Sequence, residues 1–256
     1  MKCVKHLCVG VLLCGVAAVC QSASVVTVAP ITFALSQSLL QSTDIETLYL
    51  PPERLPMNRI AGWLARADQA SLPVADAVLT IESVVPTLSL YPLLRQSSIR
   101  TIPIDAAYEL SPGGAKVSLR PETDEDFFWL DSNNLTVMVN ISARDLSRVW
   151  PESAANIEEQ RRKLQREIQK MTFAVDQLLL EQDISTLAVT DERLLPLAMS
   201  LSLPLVAADQ ADLLLSLSQQ ESDHQKIWVV DPLIRKTDGL EGWLKDQQAS
   251  LEKALL

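Results

Sequence analysis

From Val25 onward, short runs of β-branched and aliphatic residues alternate with longer stretches in which apolar positions recur every three or four residues. That is the order of βα units laid around a parallel sheet. Residues 25–29, 47–50, 77–81 and 101–104 are predicted strands, with helices predicted between them at 31–41, 59–70 and 85–95. Pro51, Pro52 and Pro56 make a rigid connection after the second strand, because each lacks an amide donor and has a restricted φ.

A different pattern follows Pro151, a residue well tolerated at the first position of a helix. Residues 152–181 contain no Gly or Pro, and Ile157, Leu164, Ile168, Met171, Val175 and Leu178 recur at spacings of three, four and seven. One apolar stripe on one long helix is the reading. Glu158 with Arg162 and Glu159 with Lys163 form i,i+4 pairs on its wet side, each contributing about 0.3 kcal/mol. Strands are then predicted at 186–190, 204–207 and 227–230, and a closing helix at 240–255. The predicted fold is therefore α/β, two lobes with parallel sheets joined by a long rigid helix. Residues 25–150 form the first lobe, 151–183 the connector and 184–256 a shortened second lobe.

Residues 1–24 stand apart. Lys2 and Lys5 precede an apolar run from Leu7 to Val19 and then small residues, the layout of a cleaved export leader, so a periplasmic location is expected. A lipoprotein cut before Cys20 is less favoured, since Val19 stands where a small residue is needed. Cys3, Cys8, Cys14 and Cys20 all lie in the leader, so the mature chain has no thiol for redox, ligation or nucleophilic attack. Losing Lys2 and Lys5 leaves 20 basic against 32 acidic residues, a formal charge of −12. Such a chain is a poor ligand for nucleic acid or an anionic membrane. No stretch of the mature chain is long and apolar enough for a transmembrane helix.

Four segments carry a family resemblance. Phe127-Phe128-Trp129-Leu130-Asp131-Ser132-Asn133-Asn134 resembles the His-Val-Trp-Leu-Asp-Pro-x-Asn segment of the ZnuA-like solute-binding proteins, the periplasmic zinc- or manganese-binding subunits of ABC importers. Pro151-Glu152-Ser153-Ala154-Ala155 is similar to the Pro-Glu-Asn-Ala-Ala that opens their connecting helix, residues 26–35 to their first strand and helix, and Val229-Val230-Asp231-Pro232-Leu233 to their Leu-Asp-Pro-Leu. The resemblance implies two α/β lobes with a metal between them, and partners in an ABC permease and ATPase. It also implies where ligands belong, and there the chain departs. Met57 stands at the first histidine position and Phe127 at the second, both apolar and expected to line the cleft. Asp191 and Asp231 stand at the third and fourth ligand positions.

Losing two imidazoles removes a tight zinc site from expectation, because zinc favours nitrogen and sulfur donors. Asp191 and Asp231 either hold a harder divalent ion weakly, with waters, or serve as a helix cap and a turn residue. Phe127 and Phe128 either line the cleft or pack the lobe interface. His224, the one histidine of the mature chain, is read as a loop residue. The acidic run Glu122, Asp124, Glu125 and Asp126 reads as a solvated loop, and Gly113-Gly114 as a turn rather than a phosphate cradle. Without a cysteine or a Gly-x-Ser-x-Gly elbow, no enzyme is expected. Two functions remain: an importer-type solute-binding protein, or a non-transport relative acting as an accessory to another envelope protein.

Overall fold

The computed structural model describes residues 22–121, 126–219, 226–237 and 239–256. Its first sheet contains β1 (Ser24–Thr27), β2 (Glu46–Tyr49), β3 (Ala77–Thr80) and β4 (Ile102–Asp105), in the order β2-β1-β3-β4, with every pair parallel. β1 and β3 are buried along their whole length, as central strands covered on both faces must be. The helices between are α1 (Pro30–Leu39), α2 (Met57–Leu64) and α3 (Tyr91–Ser97). Pro30 opens α1, where its missing amide costs nothing.

Two helix boundaries differ from the sequence reading, each for a local reason. α2 ends at Leu64 because Ile60 and Leu64 are its only buried residues, and Asp68 then closes a separate turn by accepting from the Ala70 amide at 3.0 Å. α3 begins at Tyr91 rather than near residue 85. Pro86 opens a single 3-10 turn, and the Glu82 carboxylate accepts from the amides of Leu90 at 2.7 Å and Tyr91 at 2.8 Å, starting the helix there.

After the loop that follows β4 come α4 (Ser132–Val149) and α5 (Ala154–Glu181), joined by the 3-10 turn Pro151–Ser153. Asp131 caps α4 by accepting from the Asn133 amide at 2.8 Å. α5 has 28 residues and spans about 42 Å. Ile157, Leu164, Ile168, Val175 and Leu179 form its buried stripe, with Met171 and Leu178 packed at the margin. The Asn140 side chain of α4 accepts from Arg161 and Gln165 of α5, both at 2.9 Å, pinning the pair side by side.

The second sheet holds β5 (Leu187–Val189), β6 (Leu213–Ser216) and β7 (Lys226–Val229), parallel and in that order, with α6 (Leu195–Ser200) between β5 and β6 and α7 (Leu240–Leu255) closing the chain. The strand expected at 204–207 is reduced to one parallel bridge between Leu205 and Leu187. The central strand is instead Leu213–Ser216, which the sequence reading passed over. Four consecutive buried residues suit a central position, whereas Pro204 has no amide to give and Leu205 is 44% exposed.

The two sheets are separate, but their cores are not. One continuous apolar cluster runs from Val25 and Val26 through Trp129 and Leu164 to Trp228 and Leu251. Only Ala188, Ala211, Leu214 and Ile227 form a second, small cluster on the far face of the second sheet. At the other end Ser24, beside the expected leader boundary, is already part of the fold: it opens β1, is buried, and donates its amide to Asp76 at 3.0 Å.

Since the lobes share one core, Leu164→Ala, at a fully buried position on α5, should lower stability by about 2–5 kcal/mol. Urea melts followed by far-UV circular dichroism should show one transition moved to lower denaturant rather than two.

Candidate ligand site between the lobes

In parallel α/β sheets a ligand crevice lies beyond the carboxyl ends of the strands. Here the segments leaving β2, β5 and β7, and the one leading into α4, meet at that place. Met57 opens α2 and is half-buried, and its amide donates to the Ile234 carbonyl at 3.1 Å, across the two lobes. Phe127 is 6% exposed, and its ring centroid lies 5.6 Å from that of Trp129. Its amide donates to the Arg193 carbonyl at 3.3 Å, a second crossing. Phe128 is buried as well, with its ring centroid 5.1 Å from that of Trp129.

Asp191 caps the 3-10 turn Glu192–Leu194, accepting from the Arg193 amide at 3.0 Å. Its two carboxylate oxygens also face the Arg193 guanidinium, with Nε at 2.9 Å and Nη2 at 2.7 Å. This fork holds the Asp191 carboxyl below its usual range, chiefly through the hydrogen bond from the Arg193 side chain. The same guanidinium lies 5.1 Å from the centroid of the Phe127 ring. Asp191, Arg193 and Phe127 therefore form one stacked unit.

Asp231 lies on the other side of the seam. Its carboxylate is exposed and accepts from the Leu233 amide at 2.9 Å, fixing a turn in which Leu233 takes a φ of 54°. The Asp231 carbonyl accepts from the Trp243 indole at 2.9 Å and from the Gln247 amide. Next to it, the Pro232 carbonyl accepts from the Trp129 indole at 3.0 Å. Trp129 is 1% exposed, so this is a buried bond between lobes. Lys236 adds an ion pair to Glu53 at 2.6 Å and sits 5.2 Å from the Phe33 ring centroid. Beside Phe33, the Tyr49 hydroxyl is pushed up to about 12 by burial.

Several residues of this seam were not singled out in the sequence. Arg193 follows Asp191 by two positions, an Asp-x-Arg at a strand end whose local pairing is legible once the turn is known. Arg120, bound to Asp126 at 2.6 and 2.7 Å and to the Glu192 carbonyl at 3.3 Å, has no comparable local signal toward the second lobe. Asp126 is thus a paired residue. Glu122, Asp124, Glu125 and His224 lie outside the described residues.

Among the described residues no three His, Cys, Asp or Glu side chains are grouped so as to hold a metal ion.

This arrangement of two parallel sheets and a long helix matches the fold of the ZnuA-like metal-binding solute-binding proteins. Aligned on ZnuA, the chain gives a TM-score of 0.59 at 14% identity, covering 92% of this chain and 98% of that one. The metal-dependent lipoprotein YcdH from Bacillus subtilis gives 0.62 at 12% identity, over 91% and 100%. The Zn(II)-bound ZnuA-like domain of Streptococcus pneumoniae AdcA gives 0.61 at 13%, over 92% and 99%. No family model and no curated protein sequence matches the chain.

Two outcomes follow from the seam. Trp129→Phe keeps the buried ring but leaves the Pro232 carbonyl unpaired, and should cost about 1–3 kcal/mol in urea melts. Arg193→Ala should raise the Asp191 pKa toward its ordinary value, read by carbon-detected NMR titration of the carboxyl. The depressed Asp191 contributes stability that is fully present above the unfolded carboxylate pKa of about 3.9 and is lost as pH falls through the lower folded value. The stability difference between the native chain and Arg193→Ala should therefore narrow in acid.

Proposed function

We propose that the chain is an envelope binding module of the solute-binding type, in which the site between the lobes is filled by the chain's own side chains and tight zinc is not carried. It serves a partner protein: an ABC permease with its ATPase, or another envelope protein. The observation that carries this reading is the Arg193 guanidinium, forked onto Asp191 and lying on Phe127. The resemblance puts two metal-ligand positions at those last two residues. A guanidinium is permanently charged, so it supplies beside Asp191 the positive charge that a divalent ion would supply. An incoming cation would have to displace it from the carboxylate and from the ring together.

The surroundings support a pre-assembled scaffold. Bonds from Met57, Phe127 and Trp129 already tie the lobes to each other. Catalysis is no part of the reading, because the one histidine of the mature chain is His224, in a polar run, and no thiol remains. A periplasmic location is supported by the apolar leader, and no helix among the described residues is long and apolar enough to cross a membrane.

One observation favours a second reading, a weakly bound divalent cargo. The Asp231 carboxylate is exposed and accepts a single hydrogen bond, from Leu233, among the described residues. Carboxylates of this kind suit manganese, magnesium or calcium with waters.

Thermal melts of tag-free protein with zinc, manganese and magnesium separate these readings. An ion bound at one hundred times its dissociation constant adds about 2.7 kcal/mol of stability. We expect no such shift with any of the three ions. A manganese or magnesium shift that vanishes in Asp231→Asn would establish the second reading, and a sub-micromolar zinc site would overturn the first.

A further inference from the structure

We propose that the outward face of α5 is a self-association surface, on which a second copy of the chain docks antiparallel about a two-fold axis passing beside Phe173. This goes beyond the functional reading above and does not rest on it.

The first observation is exposed apolar surface in one line. Phe173 and Leu180 are 70% and 79% exposed. Seven residues apart, they lie on the same stripe of the helix, near Arg166 and Arg162. The opposite side of α5 is occupied by α4, α7 and α1. An exposed Phe and an exposed Leu aligned on one helix of about 42 Å present more than scattered apolar residues do.

The second observation is the layout of charge about Phe173. Residues 161–170 carry Arg161, Arg162, Lys163, Arg166 and Lys170 against Glu167, with Glu158 and Glu159 one turn earlier, while Asp176, Glu181 and Asp183 follow Phe173. Lys170 lies three residues before Phe173 and Asp176 three after. Arg166 lies seven before and Leu180 seven after, with Glu181 next to Leu180. Turning one copy end for end about Phe173 lays the net positive 166–170 segment of each helix on the acidic 176–181 segment of the other. Arg166 then reaches Glu181 of the second copy, Lys170 points along the same edge, and the two Phe173 rings meet between the Leu180 side chains. A parallel pair would oppose like charges instead.

The third observation is that about half of these charges are not consumed at home, and that Glu181 is held, among the described residues, only by the Gln177 side chain, which donates to it at 2.7 Å. Among the described residues Arg166, Asp176 and Asp183 form no salt bridge, whereas Arg162 is paired with Glu158 and Lys170 with Glu167. A chain of net charge −10 repels its own copies at most approaches. The 166–170 segment of α5 is a place where a second acidic copy is drawn in, and the apolar line beside it supplies contact that salt does not screen.

Sedimentation velocity over a concentration series of the full mature chain tests this. The native chain should form a concentration-dependent dimer, and Phe173→Glu should raise its dissociation constant by at least about tenfold. Arg166→Glu should weaken the dimer, and the double exchange Arg166→Glu with Glu181→Arg should restore it, since each residue faces the other's site in the second copy. Circular dichroism should be unchanged throughout, because every substituted side chain is exposed. A native chain that stays monomeric to its solubility limit, a dimer indifferent to Phe173→Glu, or a double exchange no better than Arg166→Glu alone would each overturn the proposal.

Discussion

The structure depends on burial of a single apolar stripe along α5. Ile157, Leu164, Ile168, Val175 and Leu179 face inward over nearly the whole 28-residue helix, within the core that both lobes share. A helix of this length is marginal alone in water and is held mainly by such packing. Because α4, α7 and α1 all lie against it, this helix fixes how the two sheets stand relative to each other. At the junction of α1, α5 and α7, Ser38 donates to Glu241 at 2.6 Å and Lys163 pairs with the same carboxylate at 3.3 Å. One element thus sets the frame, and the loops at the strand ends are brought together by it.

What those loops do with their proximity is unusual for a cleft. The seam is a set of internal contacts: the Trp129 indole to Pro232, the amide of Phe127 to Arg193, the amide of Met57 to Ile234, and a guanidinium with its edge on a carboxylate and its carbon over a ring. Burying Phe127 makes the local environment less polar, which strengthens the charge contact next to it. Arg suits this place better than Lys would, since its planar fork matches both carboxylate oxygens while its face lies on the aromatic ring. Asp191 and Asp231 are each used locally, one as a cap paired with arginine and one as a turn former.

Much of the architecture was legible along the chain. Four of the six apolar positions of the long helix, the four strands of the first sheet, β5, β7 and the closing helix follow from periodicity and from the placement of proline, while Leu179 rather than Leu178 closes the buried stripe. The second sheet was read less well. A run of three leucines at 213–215 has no alternation and short flanks, so nothing local separates a buried strand from a fragment of helix. The run at 204–207 looked equally good, and became a single bridge because it lies at the edge.

The sequence by itself determined that every cysteine lies before Ser24, the acidic balance, the long helix and the absence of imidazole from positions 57 and 127. These are properties of residue identity and of short-range periodicity, which a linear string records directly. The tertiary structure alone decided that the lobes share one core, that Leu213–Ser216 is the central strand and that Arg193 lies on Phe127, 66 positions away in the chain. Contacts of that kind arise only when distant segments are brought together by burial, and no local pattern encodes which pairs will meet.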